Sequence, residues 1–191
     1  MDIRGKSMGN MFEQIMSDTA QNKKVISLAK KLGKKFSLKS GKDLENLTHL
    51  CYWLYVYGQP EKFALCCGIV DQIPFTNNFD IWTWVESIIA LKMRILREQG
   101  ENDKVEEYRP KLLIGYEGED KTLREILNGS LLYDENIKSN ADDGDEKGAN
   151  AWRFLQIIQL CIMRELGGSK KYPIEKLDKE IDRLKTILST T

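Results

Sequence analysis

The chain has 191 residues, 41% of them hydrophobic and 30% charged, with a formal net charge of zero and only 14 Gly and 4 Pro. Enough apolar side chain is present to fill a core, which excludes disordered, fibrous and low-complexity classes. No apolar run reaches the roughly 20 residues of a membrane span; the nearest, Ile81 to Gln99, is interrupted by Glu86, Lys92, Arg94 and Arg97.

The N-terminal Met1 to Lys6 has charges but no apolar block behind them, so no secretory signal is expected and the expected location is cytoplasmic. Charge is unevenly spread. Residues 1–42 carry ten Lys/Arg against three Asp/Glu (+7), and residues 43–110 carry six against eleven (−5). Residues 111–150 carry five against ten (−5), and residues 151–191 eight against five (+3). Both ends are basic and the middle is acidic, a pattern that steers a charged partner without specifying a fold.

Helical periodicity runs through almost the whole chain. From Lys23 to Phe36, Val25, Leu28, Ala29, Leu32 and Phe36 share one face and lysines fill the other, which predicts a basic amphipathic helix. Ser40-Gly41-Lys42 breaks the pattern. Asp43 is the expected cap of the next helix, to about Tyr57, with two apolar stripes: Leu44, Leu47, Cys51, Leu54, and Leu50, Trp53, Tyr57. Gly58 ends it, and Pro60 suits the first turn of a helix to about Ile73. The longest helix is expected from Asn78 or Asp80 to Gln99. A shorter one starts at Asn102 and is limited or kinked by Pro110. Lys121 to Leu132 is a further candidate. Residues 133–150, rich in Asp and Gly, lack an apolar period and read as an acidic loop. Helix resumes from Ala151 to Leu166, and a last one runs from Pro173 to Leu188. No strand is expected.

Two stretches resemble each other. Gly58-Gln59-Pro60-Glu61-Lys62-Phe63 and Gly100-Glu101-Asn102-Asp103-Lys104-Val105 each follow a long apolar helix, with the glycines 42 residues apart. At that offset Leu47, Cys51 and Leu54 match Ile89, Met93 and Leu96. The turn resembles that of tetratricopeptide-type units, although their period is about 34 residues and Glu106 stands where a counterpart of Ala64 belongs. The chain is also similar in general character to uncharacterised bacterial helical proteins, some of which serve as immunity partners of toxins. The resemblance implies an all-α fold of stacked helical hairpins, a tetratricopeptide-like α-solenoid of about eight helices, that binds other proteins. Residues 1–191 are read as one domain: a basic segment 1–42, helix pairs over 43–132, the acidic loop 133–150 and a C-terminal pair over 151–191.

Little in the sequence offers catalysis. His49, the single histidine, lies inside an apolar helix with no nucleophile at a recognisable spacing. Cys51, Cys66, Cys67 and Cys161 lack paired spacing and read as buried thiols, not as zinc ligands or disulfides. With Gly144 at the sixth position of a calcium loop, Ser139 and Ala141 occupy positions that need acids. Gly5-Lys6-Ser7, Ser40-Gly41-Lys42 and Gly167-Gly168-Ser169-Lys170 are not preceded by a strand and do not form a phosphate loop. No cofactor or metal is expected.

The expectation is therefore a non-catalytic protein that binds another, basic, protein, in its most specific form a bacterial inhibitor or immunity protein. Tyr55 and Trp84 are the expected aromatic anchors, and Asp142, Asp143, Asp145 and Glu146 the expected acidic contacts. A peptide-binding scaffold or regulator is the alternative, and an enzyme pairing His49 with a cysteine the competing class. Nucleic acid is not expected as a partner, because lysines on the 23–36 helix suit the solvated face of a capping helix.

Overall fold

The computed structural model describes residues 3–17, 22–114 and 133–191, and every element among them is helical. Nine helices follow in chain order: α1 (Ile3–Ser17), α2 (Lys23–Lys34), α3 (Gly41–Val56), α4 (Pro60–Val70), α5 (Phe79–Glu98), α6 (Asn102–Leu113), α7 (Asp134–Asp142), α8 (Glu146–Glu165) and α9 (Ile174–Ser189). The expected helix at Lys121 to Leu132 lies outside the described residues. The single domain expected from the sequence divides by its contacts into two compact units, residues 1–88 and 89–191, with the boundary inside α5.

In the first unit, consecutive helices α1, α2, α3 and α4 pack on one another. Asn22 caps α2, its side-chain oxygen accepting from the Lys24 and Val25 amides. Helix α2 then turns Val25, Ala29 and Leu32 inward and leaves its lysines outside. Helix α3 begins earlier than its sequence suggests. Ser40 is the cap, accepting from the Asp43 amide, while the Asp43 carboxylate accepts from the Ser37 amide at 3.0 Å and ties the incoming chain to the first turn. Every residue from Leu50 to Val56 is buried. Within this unit α3 grips the start of α5 by two hydrogen bonds: Thr48 donates to the Trp84 carbonyl at 3.1 Å, and Tyr52 donates to the Ser87 carbonyl at 2.9 Å.

Helices α3 and α5 end in the same turn. Gly58 and Gly100 adopt φ +65° and +79°, a left-handed conformation that a side chain disfavours. The Gln59 amide bonds the Leu54 carbonyl at 2.8 Å, and the Glu101 amide bonds the Leu96 carbonyl at 2.9 Å. The turn recurs at Gly144, where the Asp145 amide bonds the Asn140 carbonyl at 2.8 Å. Among the described residues the same turn also follows α8, where Gly167 has φ +101° and the Gly168 amide bonds the Met163 carbonyl at 3.0 Å.

In the second unit α7 packs on α8, and α8 on α9. The apolar faces meet through Phe154, Ile157, Leu160 and Cys161 of α8 and Leu177, Ile181, Leu184 and Leu188 of α9. A charge network overlies this core. Arg94 pairs with Asp178, and with Asp182 at 2.8 Å and Glu98 at 3.0 Å. Arg164 reaches Asp178 at 3.1 Å. The Glu165 carboxylate, wholly buried, takes Arg97 at 3.1 Å and Arg164 at 3.3 Å, while Arg109 donates to the Glu165 carbonyl at 3.1 Å. Two of the charges that interrupt the apolar run of α5, Arg94 and Arg97, are therefore held by carboxylates on α8 and α9. Helix α6 continues past Pro110 to Leu113.

Candidate functional site

Of the two expected aromatic anchors, one is withdrawn from the surface. Tyr55 is 3% exposed, packed in the continuously buried end of α3, and cannot meet a partner. Trp84 is half-buried and stands edge-on to His49, ring centroids 6.0 Å apart. Trp53 stacks with Tyr57 at 5.5 Å, and the Lys24 ammonium lies 4.0 Å from the Trp53 ring centre. Among the described residues the exposed large apolar side chain is instead Phe79, at 56%, against Phe75 at the start of α5.

The acidic residues are exposed, but the expected loop over 133–150 is largely a helical corner. Residues 134–142 form α7, residues 143–145 make the turn, and α8 starts at Glu146, five residues before Ala151. The periodicity missed α7 because that helix buries none of its residues. Specific contacts hold it instead: Tyr133 stacks on Trp152 at 5.3 Å, and Gln156 donates to the Asp134 carboxylate at 2.8 Å. Asp145 caps α8, accepting from the Gly148 amide at 2.9 Å. A methyl group at Gly148 would stand 2.2 Å from the Asp145 carboxylate and 2.3 Å from the Asn140 amide oxygen, so both side chains would have to shift to admit one. Glu146 pairs with Arg153. Asp142, Asp143 and Asp145 face solvent, with Asp134 and Glu135 also exposed on the same helix. Over residues 134–147 six carboxylates stand against Lys138 and Lys147, a local charge of −4.

A second concave feature in this unit was not visible in the sequence. A cavity of about 480 Å³ is lined by Leu160, Tyr172, Pro173 and Leu177, with Lys176 and Arg183 at its rim. Lys171 and Lys176 lie 5.1 and 4.9 Å from the Tyr172 ring centre. The signal that could have pointed to it is Tyr172-Pro173 just after Gly167-Gly168, an aromatic placed at the mouth of a helix pair.

The four cysteines are buried thiols. Burial pushes the Cys51 thiol well above its ordinary range, and its hydrogen bond with Cys66 and the proximity of Cys66 and Cys67 push it further. A thiol held protonated is a poor nucleophile. Native protein should therefore react with an aromatic disulfide reagent only as it unfolds, and all four thiols should appear at once in denaturant. One thiol that titrates quickly in the native state would contradict this assignment.

Among the described residues no group of three or more His, Cys, Asp or Glu is placed to hold a metal ion. Among them too, no helix is long and apolar enough to cross a membrane. A model described as a family of unknown function, DUF6707, matches residues 4–189. No curated protein and no solved structure matches.

Proposed function

The chain belongs to that family of unknown function, and we propose that it works as a non-catalytic binding protein whose acidic corner between α7 and α8 docks a basic protein. The observation that carries this reading is the exposure of Asp142, Asp143, Asp145 and Glu146 at the turn between α7 and α8. A corner held by a capped helix, a Tyr–Trp stack and a close-contact glycine presents its charges without first having to order them, which lowers the entropic cost of association. Its field acts mainly on the association rate. The high pKa of the Cys51 thiol favours binding over cysteine chemistry. In its most specific form the reading is an inhibitor or immunity-type protein that covers a basic toxin.

The test is a quadruple variant, Asp142→Asn, Asp143→Asn, Asp145→Asn and Glu146→Gln, in which Asn at 145 keeps a capping side chain. A basic partner isolated from the native host should associate about tenfold more slowly with it, and the wild-type rate should fall steeply with salt. The melting temperature should barely change, because these side chains are exposed. An acidic partner, or association indifferent to salt and to the four substitutions, removes this reading. The cavity beside Tyr172 favours a second reading, capture of a peptide segment in the second unit, in which Leu160 and Leu177 supply the apolar floor.

A further inference from the structure

The first unit holds a cavity that the acidic corner does not involve. It measures about 520 Å³ and is lined by Lys23, Lys24, Ser27 and Leu28 from the first turns of α2 and by His49 and Trp53 from α3. It is a shallow depression, open to solvent over most of its area. Its lining mixes Lys23, Lys24, Ser27 and His49 with Leu28 and Trp53. Among the described residues, neither Lys23 nor Lys24 pairs with a carboxylate; Lys24 is held over the Trp53 ring at 4.0 Å. Burial lowers the Lys24 pKa, because taking an ammonium out of water disfavours its charged form. An anion entering the cavity would oppose that effect.

Several partners of lysine-rich surfaces fit less well. The apolar face of α2 is spent on the core through Val25, Ala29 and Leu32, so this helix has nothing to insert into a lipid bilayer. The Trp53 ring is already engaged by Lys24 and by Tyr57, so a nucleic-acid base would have to displace one of them to stack. What remains is a small molecule carrying a compact, doubly charged anion together with an apolar part. Two lysines in one lining match a dianion better than a single carboxylate, and the Ser27 hydroxyl supplies a further donor.

We propose that this cavity binds an organic phosphomonoester, its phosphate dianion held by Lys23, Lys24 and Ser27 and its apolar part lying along Leu28 and the edge of Trp53. The site stands beside the docking reading and does not depend on it, since it uses neither α7 nor α8.

His49 provides the readout. It is the only histidine, so its imidazole gives one set of proton signals that reports on this cavity alone. In the free protein burial lowers its pKa; Glu45 opposes that, and Lys42 and Lys31 add to it. A dianion beside the ring favours the imidazolium, so binding must raise the pKa. The experiment titrates phenyl phosphate, inorganic phosphate and sodium chloride at equal ionic strength, following the His49 ring protons across pH. Phenyl phosphate should raise the His49 midpoint by about half a unit or more over chloride. It should half-saturate at roughly tenfold lower concentration than inorganic phosphate, because its ring covers apolar surface. Lys23→Gln with Lys24→Gln should weaken both phosphates by about tenfold or more while the helical circular-dichroism spectrum and melting temperature stay those of the wild type. Lys39→Gln, an exposed lysine outside the cavity, should bind as the wild type does. A midpoint that moves no further than in chloride overturns the site. Equal half-saturation by the two phosphates overturns the organic ligand, and undiminished binding by the double variant overturns the assignment of the lysines.

Discussion

Replacing Glu165 by Ala should destabilise the protein by about 3–5 kcal/mol, the usual cost of leaving a buried charge without its counterpart. The Glu165 side chain has no exposure and takes both Arg97 and Arg164. Removing it leaves an empty space and takes one carboxylate from each guanidinium, although Arg164 keeps Asp178 and Arg97 keeps Glu106 at 3.7 Å. Glu165→Gln keeps the volume but removes the charge, and should cost less than Glu165→Ala. Asp182 is the internal control: it pairs with Arg94 at 2.8 Å, but its side chain is 65% exposed, so Asp182→Ala should cost under about 1 kcal/mol. Urea titrations of the three variants decide the matter. A Glu165→Ala loss no larger than that of Asp182→Ala would show that the buried carboxylate is not what holds the network.

A comparable loss, about 3–5 kcal/mol, is expected for Tyr52→Ala, since Tyr52 is among the largest fully buried side chains and its removal leaves a ring-sized cavity. Tyr52→Phe separates volume from hydrogen bonding. It keeps the ring and loses the bond to the Ser87 carbonyl, so it should cost about 1 kcal/mol. Thermal and denaturant unfolding of the two variants provide the measurement. If Tyr52→Phe costs as much as Tyr52→Ala, the hydroxyl rather than the ring secures α3 against the start of α5.

The elements that the sequence makes legible are those whose helices bury one face. Val25, Ala29 and Leu32 announce α2, and Leu177, Ile181, Leu184 and Leu188 announce α9, because their burial repeats with the helical period. Gly58 and Gly100 announce turns because the conformation there excludes most other residues. Helix α7 carried no such signal. It buries nothing, and what orders it is a stack and a hydrogen bond to residues about 20 positions away, Trp152 and Gln156. Tyr55 misled for the opposite reason. A helix with two apolar stripes leaves a face that looks free on paper, whereas α3 is enclosed on all sides from Leu50 to Val56. Arg94 and Arg97 read only as interruptions, because an ion pair 84 or 68 residues distant leaves no local trace. The cavity at the start of α2 was equally silent: its lysines and its His–Trp wall belong to separate helices, each of which looks ordinary alone.

The span of those ion pairs bears on the order in which the chain acquires its structure. In the first unit neighbouring helices meet across short separations, such as the 15 residues between Lys31 and Asn46. In the second, Arg94 must find Asp178 across 84 residues. Closing the longer loop costs about 1.5 kcal/mol more in chain entropy, roughly a tenfold slower search if nothing compensates. Local hairpins should therefore form early and the arginine–carboxylate network close late, so that variants of Arg94 are expected to speed unfolding more than they slow folding. Bonds that are made late resist unfolding more than they hasten folding. The network thus governs how long the native second unit survives once formed, while the helix–glycine–helix corners govern how soon it is reached.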